Sequence, residues 1–234
     1  MSVYDLLILQ FIAHLLADYT FQDETWVKEK HEQGIRSWAM RKHGLVVFFI
    51  SYLLADQWLF VFPSVIIALS HVLIDGFKNK VKLGKYTFFL DQAWHLVIIT
   101  GVVILYEKWF GIVPIIQLPI NTRQLFVISA YIFCTKPANI LIGEILNYYH
   151  ISIPKDGEND LLNAGRLIGI IERLLTITLL LYNQFEAVGF LIAAKSILRY
   201  EGSKTAKTEY VLIGTMLSFG IAILAFVLIS QTNF

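Results

Sequence analysis

Long apolar stretches recur along this chain and leave few folds open to it. Eight of them approach or exceed the roughly 20 residues that an α-helix needs to cross a bilayer. They cover residues 3–22, 42–57, 59–78, 92–109, 123–149, 161–182, 185–200 and 210–230. Hydrophobic residues make up 56% of the 234 residues and charged residues only 16%, so the chain is more hydrophobic than ordinary soluble domains. The sequence therefore predicts an all-α protein, a polytopic transmembrane helical bundle of about seven or eight membrane segments.

Two of these segments differ from a simple span. Pro137 lies inside 123–149 and predicts a kink there. The stretch 185–200 is short, so it is either a crossing helix or a re-entrant half-span. We interpret residues 1–234 as one integral membrane domain, with a first half at about 1–110 that carries the candidate site and a second helical half at about 123–234.

Basic residues are concentrated in alternate connections of the predicted bundle. They occur between the first and second segments, between the third and fourth, and between the seventh and eighth. By the positive-inside rule these connections face the cytoplasm, and eight spans then place both termini outside. A re-entrant 185–200 would instead place the C-terminus inside. The net charge of +1 says nothing about nucleic acid. The sequence has no recognition motif or basic helical arm, so we expect no nucleic-acid partner.

Histidine and aspartate recur in pairs spaced four residues apart. The pairs are His14 with Asp18, His71 with Asp75, and in reversed order Asp91 with His95. Because four residues are just over one helical turn, both members of a pair lie on one face of a helix. In the predicted topology all three pairs lie near the cytoplasmic surface, and His43 begins the second segment at the same level. Ionisable groups inside membrane segments are costly and usually mark function.

Imidazole and carboxylate groups together suit zinc, manganese or iron, and the single cysteine, Cys134, offers no thiolate cage. The pairs therefore predict a site for one or two divalent transition-metal ions. Its ligands, or the residues that orient them, would be His14, Asp18, His71, Asp75, Asp91 and His95. A bound ion would lower the pKa of a coordinated water and create a nucleophile for a phosphoryl or acyl centre. A proton or ion pathway and purely structural pairing between helices stay open as alternatives.

The second half adds cations at the same predicted depth. Arg166, Arg173, Lys195 and Arg199 are interpreted as an anion clamp for a substrate head group, and Gln22, His43 and Lys78 are assigned to substrate binding with them. Glu172 is the candidate catalytic base, or a residue that orients an arginine. The alternative is that the cations extend to the membrane interface while Glu172 pairs with an arginine. For His43 the choice between a metal ligand and an interfacial residue is left open.

Several motifs together resemble a known family. They are His14-xxx-Asp18-xxx-Gln22, Lys42-His43-Gly44, His71-xxx-Asp75-Gly76 and Asp91-Gln92-xx-His95, followed by Gly169-Ile-Ile-Glu172-Arg173 and Ala193-Ala-Lys195-Ser196 in the second half. The set resembles a bacterial family of small polytopic membrane proteins catalogued as a domain of unknown function. The His-xxx-Asp pairs are also more loosely similar to proteins labelled membrane-bound metal-dependent hydrolases.

With the bacterial inner membrane that the resemblance implies, the combined expectation is a membrane-embedded, metal-dependent hydrolase that acts on a lipid or another amphiphile at the cytoplasmic leaflet. Its partners would be membrane lipid and that substrate, and the oligomeric state is left open. A cation or proton-coupled transporter is the first alternative, although few polar residues are expected in the outer half. A non-catalytic membrane subunit that docks a cytoplasmic partner is the second.

Overall fold

The structure is a computed structural model. It describes residues 1–78, 84–116, 119–151, 159–200 and 206–231, without the side chains of 159–163, 198–200 and 206–209, and the regular structure of this part is entirely helical. The all-α expectation is confirmed for these residues. The chain divides into two compact units, Met1–Ser129 and Ala130–Phe234.

The first unit contains five complete helices and the start of a sixth. They are α1 (Val3–Leu15), α2 (Glu24–Gln33), α3 (Trp38–Ala55), α4 (Val61–Lys78), α5 (Thr87–Phe110) and α6 (Thr122–Phe133). The second unit continues with α7 (Lys136–Tyr148), α8 (Asn159–Leu181), α9 (Phe185–Tyr200) and α10 (Ala206–Ser230). A π-helical turn, Leu16–Thr20, extends α1.

Four helical stretches among the described residues are long and apolar enough to cross a membrane. They are Val3–Thr20, Trp58–Lys78, Gly84–Phe110 and Tyr210–Ser230. The pair α6 and α7 is a fifth if it counts as one span bent by 56°. This bend falls where Pro137 predicted a kink, since Pro137 lies in the first turn of α7.

The expected seven or eight membrane segments are not confirmed by this count. Residues 42–57, 161–182 and 185–200 fall outside the set. Charged side chains reduce the apolarity of α3 and α8, and the 16 residues of α9 are short for a hydrocarbon core about 30 Å thick.

In the first unit, α1, α3, α4 and α5 pack around a common interior, with α3 between α1 and α4. The interior is apolar over much of its length and includes Leu6, Val47, Phe60, Ile67 and Val103. The outer face of α4 is apolar as well, and its exposed residues include Phe62, Val65, Ile66, Leu69, Leu73 and Phe77. Helices that are apolar outside and carry polar groups inside are typical of a membrane bundle.

A glycine brings α3 and α4 close together beside two of the histidines. A Cβ atom added at Gly44 would lie 2.8 Å from Cγ2 of Val72, closer than real contacts allow. Gly44 follows His43 and Val72 follows His71 in the sequence. The missing side chain therefore permits the approach that brings these two imidazoles together.

The short helix α2 lies outside the candidate spans and packs on α3. Asp23 caps its N-terminus, because Asp23 Oδ1 accepts the Trp26 backbone N–H at 2.8 Å. Gly34 caps its C-terminus, with φ of 63°. Beyond it, Ile35 packs against Gly76 of α4, where an added Cβ would lie 3.1 Å from Ile35 Cδ1. These contacts fix α2 beside the ends of α3 and α4.

In the second unit, Arg173 of α8 binds the break between α6 and α7. Its side chain is 1% exposed. Its Nε donates to the Cys134 carbonyl at 2.7 Å, and its Nη2 donates to the Thr135 carbonyl at 3.2 Å and to Asn139 Oδ1 at 2.7 Å. A helix break leaves carbonyl groups without helical partners, and burying them unpaired is costly. Arg173 supplies the donor for the Cys134 carbonyl and a second donor for the Thr135 carbonyl, which also accepts the Asn139 N–H at 3.4 Å.

Candidate metal centre

One histidine from each of the four packed helices points into the same layer of the first unit. His14 lies on α1, His43 on α3, His71 on α4 and His95 on α5, and none is more than 5% exposed. Their rings are neighbours, with centroids 4.9 Å apart for His43 and His71 and 4.1 Å apart for His71 and His95. The spacing argument had placed these residues at one depth, and the structure brings them together.

Asp18 reaches this layer from the π-helical turn at the end of α1. The Phe21 N–H donates to the Leu16 carbonyl at 2.9 Å, a bond that spans five residues instead of four. Such turns are rare and are often found at functional sites. Oδ2 of Asp18 lies 3.7 Å from Nδ1 of His14, and Oδ1 of Asp18 faces His43 and His71.

Asp18, His43 and His71 place three donor atoms in a tight triangle, which we call the triad. Oδ1 of Asp18 lies 3.1 Å from Nε2 of His71 and 3.3 Å from Nε2 of His43, and the two nitrogens are 2.9 Å apart. A metal ion bound at about 2.0–2.1 Å would hold its donors about 2.9 Å apart in an octahedron and about 3.3 Å apart in a tetrahedron. The triad therefore fits one face of either coordination shell and leaves further positions open.

Hydrogen bonds orient His14 and His95 so that each turns an unprotonated nitrogen inward. Gln92 Nε2 donates to Asp91 Oδ2, which leaves Gln92 Oε1 to accept from Tyr19 at 3.0 Å and from Nε2 of His14 at 3.2 Å. Nδ1 of His95 donates to the Asp91 backbone carbonyl at 2.8 Å. Since each histidine donates through one nitrogen, the other carries a lone pair. Metal-binding histidines are usually held in this way.

The inward atoms of these side chains lack hydrogen-bond partners among the described residues. They are Nδ1 of His14, Nε2 of His95 and Oδ1 of Asp91. Buried polar atoms are rarely left unpaired, and an ion is one common explanation where they are. The four histidines and three aspartates form one cluster: His14, His43, His71 and His95 with Asp18, Asp75 and Asp91. Besides the triad, three overlapping groups of this cluster could hold a metal ion by geometry: His14 with Asp18 and His71, His43 with His71 and Asp75, and Asp75 with Asp91 and His95.

Two lysines reach the remaining carboxylates. Nζ of Lys30, on α2, donates to Asp75 Oδ2 at 2.5 Å and also to Gln22. Nζ of Lys78, at the end of α4, donates to Asp91 Oδ2 at 2.7 Å. Among the three aspartates, Asp18 is the one for which the described residues show no lysine contact.

The structure adds roles to residues that the sequence had assigned differently or not at all. His43, left open between ligand and interfacial residue, is fully buried in the cluster. Gln22 and Lys78, assigned to substrate binding, contact Lys30 and Asp91. Lys30 and Tyr19 were not singled out, because their places depend on how α2 folds back and on the π-helical turn. Gln92 lay within a quoted motif, but spacing alone gave it no partner.

The cations predicted to clamp an anion belong to the second unit. Arg173 is committed to the helix break, and it also donates to Ser218 Oγ at 2.9 Å. Glu172 pairs with Lys195, whereas the sequence had suggested an arginine. Arg166 is exposed, and the side chain of Arg199 lies outside the described part of the chain. Their role as a clamp, and that of Glu172 as a base, stay predictions.

The geometry defines an all-helical protein with several candidate membrane-spanning helices and a buried His/Asp cluster able to hold a metal. A family model described as a protein of unknown function, DUF3307, matches residues 6–127 of the 234. The chain belongs to this family. The matched region contains every residue of the cluster and both lysines, while the resembling motifs of the second half lie beyond it. No curated protein and no solved structure matches the chain.

Proposed function

We propose that the protein is a membrane-embedded, metal-dependent hydrolase that acts on an anionic amphiphile at the cytoplasmic leaflet. The observation that carries the proposal is the triad of Asp18, His43 and His71, with donor atoms 2.9–3.3 Å apart. Two histidines and one carboxylate with open positions are the ligand pattern of catalytic rather than structural metal sites.

A metal ion bound there would act as a Lewis acid and bring the pKa of a bound water toward neutrality. The protein's own residues would do the rest. The triad would bind the ion, and Gln92 and the Asp91 carbonyl would fix the ring orientations of His14 and His95 beside it. Asp75 lies next to the triad, with Oδ2 3.8 Å from Nε2 of His43, and adds negative charge there.

A groove beside the cluster supports an amphiphilic substrate. It lies between α4 and α5, has a volume of about 360 Å³, and is lined mainly by Ile74, Phe77, Leu90 and Trp94, with Lys78 and Asp91 at its polar side. This volume is within the range of small-molecule sites. We assign the apolar walls to the substrate tail. Lys78, whose ammonium group is bonded to Asp91, lies at the end of the groove where the anionic head would approach the cluster.

The proposal includes the full set of seven or eight membrane segments with the cluster at the cytoplasmic end. The packing of α3 between α1 and α4 supports it, because a helix enclosed by two membrane spans lies at their depth. Similarly, α8 packs against the candidate span α10. The basic connections on the cluster side favour a cytoplasmic location for it.

The test uses full-length protein purified in detergent and loaded in turn with zinc, manganese and iron. Metal content is measured by elemental analysis, and the loaded protein is then incubated with vesicles of anionic phospholipid or isoprenoid phosphate while products are followed by mass spectrometry. We expect about one equivalent of bound metal and a hydrolysed head group. Asp18→Asn should lose both.

Asp5→Asn is the matched control, because Asp5 is a buried carboxylate of the same helix that bonds Ser2 and Thr122 away from the cluster. It should keep metal and activity. A loaded protein that leaves every lipid intact would overturn the hydrolase, and a folded protein that takes up no metal would overturn the centre itself.

Transport is the second candidate, and one observation favours it. Below the cluster, Gln10 and Ser51 are buried and bonded to each other, with Gln10 Nε2 donating to the Ser51 carbonyl at 2.9 Å and Ser51 Oγ donating to Gln10 Oε1. Polar groups therefore continue deeper than the sequence suggested. They are neutral and bond to one another, and fully buried Leu6, Phe60 and Val103 follow, which is why transport ranks second. Metal or proton flux into loaded proteoliposomes, without lipid products, would bring it first.

A further inference from the structure

A second set of cation ligands lies next to the triad. Oδ1 of Asp75 is 4.0 Å from Nε2 of His95, and Oδ1 of Asp91 is 3.9 Å from Nδ1 of the same ring. Nε2 of His95 and Oδ1 of Asp91 have no hydrogen-bond partner in the described ranges, although His95 is 2% and Asp91 6% exposed. A buried imidazole nitrogen and a buried carboxylate oxygen that face a further carboxylate are ligands that a divalent ion would accept.

The same two carboxylates already carry cations from the protein. Nζ of Lys30 donates to Oδ2 of Asp75, and Nζ of Lys78 donates to Oδ2 of Asp91. Lys30 is only 8% exposed. An ammonium group held this close to a buried carboxylate provides the charge that a metal ion would otherwise provide.

The position of Lys30 is fixed by the packing of α2. Glu29 Oε1 accepts the Ala39 backbone N–H at 3.0 Å, which ties α2 to the start of α3. Ile35 rests on Gly76, the residue after Asp75. The packing of α2 therefore fixes the position of Lys30 beside Asp75.

The charge balance of the cluster decides how many ions it can hold. Three carboxylates face two ammonium groups, so with neutral imidazoles the described cluster carries one uncompensated negative charge, on Asp18. One divalent ion turns this into a single positive charge, which suits an anionic ligand. A second ion would leave three positive charges in a site of low dielectric, where like charges repel strongly.

We propose that Asp75, Asp91 and His95 form a second cation subsite that Lys30 and Lys78 occupy, so that the protein binds one metal ion and not two. This inference rests on the metal centre of the proposed function and specifies its stoichiometry. The lysines act as resident cations, and their removal opens the subsite to a metal ion.

The test counts metal ions in the full-length protein without reference to activity. Wild type and the double variant Lys30→Met, Lys78→Met are saturated with zinc, desalted and analysed for zinc per chain. We expect one equivalent for wild type and two for the variant. Lys30→Gln with Lys78→Gln provides a second route, because glutamine keeps a hydrogen-bond donor to each carboxylate while removing the charge.

Two further variants assign the extra ion. Lys28→Met is the control, since Lys28 lies on the same helix and pairs with Glu32 at the surface, and it should bind one equivalent. Adding Asp75→Asn to either double variant should return two equivalents to one. Two equivalents in wild type, or one in the folded double variants, would overturn the proposal. A wild type without zinc would instead refute the metal centre.

Discussion

His14 and His95 show how single hydrogen bonds prepare a side chain for metal binding. His14 donates from one ring nitrogen to Gln92 Oε1 and His95 to the Asp91 backbone carbonyl, and each turns its other nitrogen inward. An imidazole without such a partner can present either nitrogen, and its ring can rotate. The acceptors Gln92 and the Asp91 carbonyl thus decide which atoms the cluster offers.

Gln92→Leu tests this orientation at the level of one residue. It removes the acceptor for His14 and Tyr19 with little change in volume, and we expect metal affinity to fall by about 10–100-fold. The measurement is competition with a chromophoric zinc chelator in detergent. Gln57→Leu is the control, because Gln57 also accepts a hydrogen bond from a tyrosine, Tyr106, but lies away from the histidines. Gln57 is buried and Gln92 half-buried, so the control removes a glutamine that is at least as enclosed. Equal affinities for the two folded variants would contradict the assigned role.

At the scale of elements, α3 and α4 are in close contact at Gly44 and Val72. Gly44 and Val72 touch where His43 and His71 face each other, and a β-branched valine has little rotamer freedom with which to move away. An added methyl group must therefore separate the helices or strain the valine. Either response would widen the 2.9 Å gap between the two Nε2 atoms.

Gly44→Ala should consequently destabilise the protein by about 1–3 kcal/mol and weaken metal binding. Val72→Ala in the same chain should restore much of both losses. Gly101→Ala on α5 is a matched control, since an added Cβ there meets nothing within 4 Å, and it should be neutral or mildly stabilising. Thermal unfolding in detergent, with and without zinc, measures these effects. A stable, zinc-binding Gly44→Ala protein would show that the helices have room to spare.

The guanidinium group of Arg173 stabilises the break between α6 and α7 with several hydrogen bonds. Lysine at this position would keep the charge but could not reach the Cys134 and Thr135 carbonyls and Asn139 together. We expect Arg173→Lys to lower the free energy of unfolding by about 2–4 kcal/mol. Arg166→Lys, at an exposed position of the same helix, should change it by less than about 0.5 kcal/mol. Equal thermal stability of the Arg173→Lys and Arg166→Lys proteins in detergent would contradict the structural role of Arg173 and favour the anion-clamp prediction.

At the scale of the whole molecule, the sequence was informative where local periodicity maps directly onto space. The four-residue spacing located Asp18, Asp75 and their histidine partners, because a helix places such residues on one face. His43 stayed ambiguous, since a lone histidine at the start of a segment has no pair to orient it. Lys30 could not be found at all, because its approach to Asp75 depends on tertiary packing of α2.

The second half shows a different limit. Arg173 has the same sequence features whether it binds a substrate or a helix break, and only its carbonyl partners separate these roles. The predicted number of spans also exceeded the helices that pass on length and apolarity alone. Polar residues that a bundle encloses lower the apolarity of a helix without removing it from the membrane.

The orientation of the molecule can be measured with an impermeant maleimide on spheroplasts. In a Cys134→Ser background, His31→Cys places a thiol on the exposed side of α2, and Val113→Cys places one just beyond α5. A cytoplasmic cluster predicts that Val113→Cys is labelled on intact spheroplasts and that His31→Cys is labelled only after permeabilisation. The reverse pattern would place the cluster on the outer side.

The apolar packing beneath the histidines bears on the membrane as much as on the protein. Leu6, Phe60 and Val103 are fully buried and fill the bundle on the side away from α2. In the proposed hydrolase, a lipid head group that entered beside the cluster would therefore have to leave by the same opening. Such an enzyme would hydrolyse lipids of one leaflet and leave those of the other unchanged. Smaller head groups on one side alone favour a bent bilayer, so its turnover would generate membrane asymmetry and curvature.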